Sequence, residues 1–240
     1  MLYLIGLGLN EKSISLDGIE SIKKCRKIYL EIYTTNLPYS IKKLEKTIGK
    51  KVVKLNREDV ESDRLVKEAK KENICLLIYG SPFFATTHIS LIEECKNKNV
   101  KFRIIYNASI FDAIGETGSQ LYKFGKICSM PRWQENFEPD SFIEIIKENK
   151  KNNVHSLILI DPDLKFKTAL EQLVIASDNK KLKLDKIIIC NQLGTKNSEI
   201  YYIDIKSELK REVKKIKTPF CFIIPGKLHF FEKQVIERFS

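Results

Sequence analysis

Small and polar residues end three predicted strands in the first half of the chain, and chemistry is expected at these positions. The strand ends are GLGL (residues 6–9), GSP (80–82) and NAS (107–109). In an open α/β sheet, ligands bind beyond the carboxyl ends of the strands, where small residues let the backbone approach them closely. Similar strand ends follow in the second half, at DP (161–162), LG (193–194) and PG (225–226). The pattern predicts a ligand site built from strand ends.

Motifs for phosphate binding and for metal catalysis are absent from the sequence. GLGLNEKS lacks the third glycine of the dinucleotide fingerprint, and no Walker-type phosphate loop occurs. No HExxH zinc spacing or GxSxG nucleophile elbow is present, and DPD at 161–163 is typical of a turn. We predict no metal site, and we expect His155 to be structural and His229 to be structural or to lie at an interface. His88 is expected to be structural as well, with general base as its alternative role.

Alternating apolar and amphipathic stretches predict a doubly wound, parallel α/β sheet in the first half. Helices with apolar positions three or four apart separate the strands, and Ser15 is expected to cap the first of them. Thr86 and Thr87 are expected to satisfy backbone groups at the start of the fourth. The strands are LYLIGLGL, KIYLEIYT, KVVKLN, ICLLIYG and KFRIIYN, and the helices are SLDGIESIKKC, SIKKLEKTI, residues 59–71 and ATTHISLIEECKNK.

The second half is richer in strands and predicts a second α/β lobe with a mixed sheet. PRWQENFEPD is expected to be a loop. We place an N-terminal lobe at residues 1–110 and a C-terminal lobe at 111–240. The predicted strands are QLYKFGKICSM, HSLILID, KIIICNQLG, EIYYIDI and PFCFIIPG, and the helices are SFIEIIKENKK, residues 167–177 and SELKREVKKI.

Composition points to a soluble protein of a reducing compartment. Lysine and arginine outnumber aspartate and glutamate by 42 to 31, but the lysines are scattered and no basic-aromatic motif marks a nucleic-acid module. The six cysteines form no CxxC pair and mostly lie in apolar runs, which predicts buried free thiols. With no signal peptide and no apolar run of membrane-spanning length, we expect a cytoplasmic protein.

Six stretches together resemble the diphthine synthases, which are methyltransferases of the tetrapyrrole-methylase fold. They occur in family order from residue 1 to about 230: MLYLIGLGLNE, LEIYT, NRED, GSPFFATTH, NASIFDAIGETGSQLYKFGK and PGKLH. The resemblance implies two α/β lobes with S-adenosylmethionine in the cleft between them. It further implies a homodimer that repeatedly methylates the amino nitrogen of 3-amino-3-carboxypropyl-histidine on translation elongation factor 2, giving diphthine.

The resemblance also implies the site residues. No catalytic side chain transfers by position, and the implied cofactor contacts are Leu9, Ser81, Phe84, Ser109, Ile110, Ile160, Leu193 and Phe220. The family usually has aspartate where this chain has Ser81. Serine brings no charge, which predicts either weaker cofactor binding or compensation by another acidic side chain.

Positive side chains in the stretches of family resemblance are candidates to bind the substrate carboxylate and the surface of its carrier protein, with an ordinary solvated lysine as the alternative for each one: Lys123, Lys126 and Lys227. Two alternatives stay open. One is an RNA or tetrapyrrole methyltransferase on the same fold. The other is a non-catalytic, nucleoside-binding, translation-associated module.

Overall fold

A computed structural model describes residues 1–209 and 215–240 and contains two compact units, Met1–Ile110 and Phe111–Ser240. The sheet of the first unit has the strand order β3-β2-β4-β1-β5, and every pair in it is parallel. This confirms the predicted doubly wound sheet. Its strands are β1 (Leu2–Gly6), β2 (Lys27–Glu31), β3 (Val53–Leu55), β4 (Ile74–Ile78) and β5 (Phe102–Ile105).

Helices cover both faces of this sheet. One face, with Ile5 and Leu77, packs against α1 and α2, and the other, with Leu4 and Leu76, packs against α3, α4 and α5. A parallel strand covered on both faces has apolar residues at successive positions, which explains why β1 and β4 lack polar alternation. The helices are α1 (Leu16–Lys23), α2 (Ile41–Ile48), α3 (Arg57–Glu61), α4 (Arg64–Lys71) and α5 (Ile89–Asn97).

Local capping decides where these helices begin. The Ser15 side chain accepts a hydrogen bond from the Gly18 amide at 3.0 Å, as predicted. The single helix predicted over residues 59–71 is wrong, because Asn56 caps an earlier start with a reciprocal capping box. Ser62 then adopts an extended backbone and separates α3 from α4.

The predicted capping role of the two threonines at the start of α5 is also wrong. The helix begins at Ile89, after His88, and no side chain caps it at His88. The hydroxyl of Thr86 instead donates to the Pro82 carbonyl at 2.9 Å, and that of Thr87 donates to the Glu61 carboxylate at 3.1 Å. Both hydroxyls therefore secure the preceding loop.

The sheet of the second unit is mixed, as predicted, with the order β6-β7-β10-β8-β9. Strands β6 and β7 are parallel, and the other neighbouring pairs are antiparallel. Its strands are β6 (Cys128–Met130), β7 (Ser156–Ile160), β8 (Lys186–Asn191), β9 (Glu199–Asp204) and β10 (Phe220–Ile224). The remaining helices are α6 (Ile110–Ala113), α7 (Ser141–Lys151), α8 (Phe166–Asn179), α9 (Ile205–Leu209) and α10 (Phe230–Ile236).

An aromatic cluster lies in the core of the second unit. The rings of Phe166 and Phe222 meet edge to face at a centroid separation of 6.0 Å, and Phe220 contacts both. Such pairs stabilise a core beyond their buried area. None of the helices in the described parts of the chain is long and apolar enough to cross a membrane.

Two predicted elements of the second unit differ from the structure. QLYKFGKICSM is not one strand: residues Leu121–Lys123 form a 3-10 turn, and the strand is limited to Cys128–Met130. The helix predicted for SELKREVKKI is described only as far as Leu209, and residues 210–214 lie outside the described part of the chain.

Candidate cofactor-binding site

The strand order of the first unit places β1 and β4 side by side. The chain leaves β1 toward β2, past β4, and leaves β4 toward β5, past β1, and the helices that follow, α1 and α5, lie on opposite faces of the sheet. Open α/β sheets bind ligands beyond the carboxyl ends of strands where the connections change face, so the topology predicts a ligand crevice after β1 and β4. The stretches GLGL and GSP follow these two strands, so the topology brings them to the crevice.

Two glycines join the loops across this crevice. Gly8 and Gly80 exchange backbone hydrogen bonds of 3.2 and 3.0 Å, and both have left-handed backbones, with φ values of +69° and +74°. Gly6 lies beneath them, and a Cβ atom added to it would lie 2.7 Å from the Gly80 carbonyl oxygen. The close approach of the two loops therefore requires glycine at position 6, and the left-handed backbone favours glycine at positions 8 and 80.

Asn107 fixes the end of β5 beside this bridge. Its side-chain amide donates to the carbonyls of Gly6 at 3.1 Å and Ser13 at 3.0 Å, while its side-chain oxygen accepts from the Ala108 amide at 2.8 Å. Ser109 is thereby held next to Gly80, where a Cβ atom added to the glycine would contact the serine Cα at 3.7 Å. Sequence reasoning included Asn107 in a strand-end motif but did not predict this positioning role.

A tyrosine that the sequence analysis did not single out positions Leu9. The Tyr79 hydroxyl donates to the Leu9 carbonyl at 2.9 Å, so the residue that follows β4 is tied to the loop after β1. Burial raises the pKa of Tyr79, with the nearby Tyr39 adding to the effect, so the hydroxyl keeps its proton and remains a donor. The position of Tyr79 directly before the GSP stretch was the one feature of the sequence that could have indicated this role.

The loop from residue 80 to residue 88 folds back on its own proline. The Pro82 carbonyl accepts from the Thr86 hydroxyl at 2.9 Å and is paired with the Nδ1 atom of His88 at 3.0 Å. Ala85, between them, has a left-handed backbone with φ of +55°. Since that conformation is costly for alanine, these bonds maintain the loop against local strain.

The hydrogen bonds of His88 fix its role. A carbonyl only accepts, so Nδ1 carries the proton, and Nε2 accepts from the Tyr33 hydroxyl at 3.3 Å. Burial raises the pKa of Tyr33, which keeps that donor protonated. His88 is 1% exposed, and both of its ring nitrogens are hydrogen-bonded within the protein. It is therefore a structural residue that secures the loop, and the general-base alternative is not supported.

The structure places five of the predicted cofactor contacts at the carboxyl edge of the first sheet. Leu9 follows β1, Ser81 and Phe84 follow β4, and Ser109 and Ile110 follow β5. Leu9 and Ser109 are buried, and the other three are half-buried. This edge of the sheet therefore carries apolar and hydroxyl-bearing side chains next to glycines, whose bare backbone a ligand can approach closely.

The three predicted contacts of the second unit also lie at one edge of its own sheet. Ile160 ends β7, Leu193 follows β8, and Phe220 begins β10. The antiparallel register places Phe220 opposite Asn191, and Cys221 opposite Leu159. These three side chains, far apart in the sequence, are brought together by the strand order.

The stretches YKFGK and PGKLH meet at a buried carboxylate, Glu232. It accepts hydrogen bonds from the backbone N–H groups of Gln120 at 3.0 Å and His229 at 2.7 Å. It also accepts from His155 Nε2 at 2.9 Å and forms an ion pair with Lys123. Burial by itself would raise the pKa of Glu232, but these donors outweigh it and lower the pKa to about 2. Lys123 therefore pairs with Glu232, and this gives the lysine a structural role; its contact with substrate stays a prediction.

The other candidates of the second unit are resolved by their contacts. His155 accepts from the Gly226 amide at Nδ1, and burial lowers its pKa, so the ring is neutral and donates through Nε2. His229 caps α10, so both histidines are structural, as predicted. Lys126 pairs with Glu148 at 2.8 Å. Lys227 is exposed and forms no ion pair within the described residues.

The cysteines and the acidic side chains offer no metal site in the described residues. All six cysteines are buried and free, as predicted from their apolar surroundings. Within residues 1–209 and 215–240, no group of three His, Cys, Asp or Glu side chains could hold a metal ion.

Comparisons with known proteins agree with this architecture. The model of the tetrapyrrole (corrin/porphyrin) methylases matches residues 1–207. A diphthine synthase of Methanocaldococcus jannaschii is 36% identical over 99% of this chain and 98% of that protein. A diphthine methyl ester synthase of Schizosaccharomyces pombe is 45% identical over 69% of this chain, and the aligned region spans 59% of that protein. A crystal structure of a diphthine synthase superposes with a TM-score of 0.88 at 31% identity, covering 100% of this chain and 95% of that one.

The chain therefore belongs to the tetrapyrrole methylase family and, within that family, to the diphthine synthases. It is an S-adenosylmethionine-dependent methyltransferase. The match along nearly the whole chain favours this assignment over an RNA or tetrapyrrole methyltransferase and over a non-catalytic module.

Proposed function

We propose that the protein methylates the amino nitrogen of 3-amino-3-carboxypropyl-histidine on translation elongation factor 2 repeatedly, giving diphthine. The protein is a methyltransferase of diphthamide biosynthesis, and the proposal specifies its acceptor atom and its product. The observation that supports it most is the end-to-end match to the M. jannaschii diphthine synthase, which covers 98% of that protein.

We propose that S-adenosylmethionine binds at the carboxyl edge of the first sheet. S-adenosylmethionine has a purine, a ribose and a sulfonium but no phosphate, which agrees with the absence of a phosphate loop. We propose that Leu9, Phe84 and Ile110 contact its apolar surfaces and that Ser81 and Ser109 supply polar contacts. Ile160, Leu193 and Phe220 stay predicted contacts from the second unit.

The proposed methyl transfer depends mainly on how the two reactants are positioned. Bound S-adenosylmethionine supplies a methyl group that its sulfonium already activates for displacement. Holding two reactants in line is worth up to about 7–11 kcal/mol in favourable models. Gly8 and Gly80 bond to each other, Asn107 bonds to Gly6 and Ser13, and Tyr79 bonds to Leu9. We propose that these bonds hold the strand-end loops in place for this role. The acceptor amine must lose its proton first, and we propose that bulk water or the substrate's own carboxylate takes it.

A second product is favoured by one observation. The S. pombe relative is named a diphthine methyl ester synthase, whereas the M. jannaschii relative is named a diphthine synthase. An ester requires one further transfer, to a carboxylate oxygen. The number of methyl groups on the product distinguishes the two possibilities.

Intact-mass spectrometry tests the proposal. The purified protein is incubated with S-adenosylmethionine and elongation factor 2 that carries the unmethylated modification. We expect stepwise gains of one methylene that stop at three. A fourth gain that mild alkali removes would identify the methyl ester. No gain, with cofactor binding demonstrated by calorimetry, would refute this acceptor and direct the search to RNA.

The assembly and location follow from the same proposal. We propose a homodimer that acts in the cytoplasm, where the translation factor works. Analytical ultracentrifugation tests the dimer, and a sedimenting mass equal to that of the 27.9 kDa chain would refute it.

A further inference from the structure

Four exposed apolar side chains occur together in the second unit, and they are called the aromatic patch below. Its residues are Leu121, Tyr122, Phe230 and Phe231. Tyr122 is 82% exposed and Phe230 is 75% exposed. Single exposed apolar residues are common on protein surfaces, but a group of them marks an interaction site more often. Aromatic residues are also enriched in protein interfaces.

The patch rests on a rigid support. Its two segments converge on Glu232, which binds the Gln120 amide beside Leu121 and the His229 amide beside Phe230. Lys123, next to Tyr122, also donates to the Lys227 carbonyl at 2.8 Å. A Cβ atom added to Gly118 would lie 2.5 Å from a Val235 methyl, so the first segment packs closely along α10. Backbone segments that are already held in place lose little entropy on binding.

The charge around the patch indicates the partner. Lys227 and His229 flank it, and Lys227 is exposed without an ion pair in the described parts of the chain. The whole chain has a formal net charge of +11. A two-fold copy docked on the patch would present the same surface with its exposed lysine, because a two-fold interface pairs a surface with itself, and like charges repel. An acidic partner meets no such repulsion.

We propose that the aromatic patch and Lys227 form the docking face for an acidic, partly apolar surface of the acceptor protein. The inference rests on the proposed function, because it needs a protein to carry the methylated residue. The network around Glu232 then has a role beyond folding, because it holds together the two segments that carry the aromatic side chains.

Steady-state methylation of the acceptor protein by variants tests this inference. The test variant is Tyr122→Ser combined with Phe230→Ser, and the control is Phe137→Ser, an aromatic residue of the same unit that is 60% exposed. We expect the double variant to raise KM for the acceptor protein about tenfold, equivalent to about 1.4 kcal/mol. The value of kcat at saturation and the calorimetric Kd for S-adenosylmethionine should stay unchanged, and the control should behave as the wild type.

A charge reversal gives an independent readout. Lys227→Glu should raise KM for the acceptor protein, and it should flatten the decline of kcat/KM with added salt. Methylation by the wild type with an unchanged KM in both variants would overturn the docking face alone. A wild type that yields no product would refute the proposed function, and the docking inference with it. Conversion of a dimer to a monomer by the double variant, with KM unchanged, would assign the patch to a second copy and overturn the inference.

Discussion

Glu232 gives the sharpest test of how the second unit is held together. Its pKa is about 2, against an ordinary value of 4.5. At about 1.36 kcal/mol for each tenfold change in the proton dissociation constant, ionised Glu232 adds about 3 kcal/mol to the stability. Because the folded-state pKa is the lower one, this contribution is complete above pH 4.5. It is lost as the pH falls toward 2.

Replacement by glutamine should remove this contribution and its pH dependence together. A glutamine side chain cannot accept from all four donors as a carboxylate does, and Lys123, whose side chain is 21% exposed, loses its counter-charge. We expect Glu232→Gln to cost about 3 kcal/mol at neutral pH, the lower end for breaking a buried ion pair. The difference between wild type and variant should shrink steadily as the pH falls from about 5 to about 2.

Urea unfolding followed by Trp133 fluorescence measures this difference. Trp133 is the single tryptophan of the chain and lies in the second unit, so its signal reports on that unit. The matched control is Glu148→Gln, whose ion pair with Lys126 is exposed, at 49% and 66%. It should cost less than about 1 kcal/mol. A cost for Glu232→Gln that is equally small, or that does not change with pH, would refute the account of the network.

Two further predictions concern the crevice of the first unit, and calorimetry with S-adenosylmethionine measures both. Ser81→Asp should tighten binding roughly fivefold, about 1 kcal/mol, because a carboxylate accepts stronger hydrogen bonds, and an unchanged affinity would dismiss the charge argument. Gly8→Ala should weaken binding about tenfold, because the added Cβ would lie 2.5 Å from the Cβ of Ser13. The control is Gly49→Ala, which has nearly the same φ but open space around the added Cβ. It should cost only about 1 kcal/mol of stability and leave the affinity for S-adenosylmethionine unchanged.

Local patterns in the sequence were sufficient for most elements of the fold. Successive apolar residues in β1 and β4 indicated a sheet covered on both faces, and Ser15 indicated a helix start, because both signals depend on neighbours within a few residues. The prediction of one helix over residues 59–71 was wrong because these local signals do not show the break at Ser62. Residues on both sides of Ser62 favour a helix, and the extended backbone of one serine between them leaves no periodic signal.

Contacts distant in the sequence were decided by the tertiary structure alone. The sequence determined which residues end the strands, and resemblance to a family indicated which of them contact a cofactor. The sequence could not show that Gly8 pairs with Gly80, because that contact exists only when β4 lies between β2 and β1 in the folded sheet. Nor could it show that Lys123 serves Glu232. A lysine has the same pattern whether it faces solvent or a buried carboxylate, and only packing brings the two charges together.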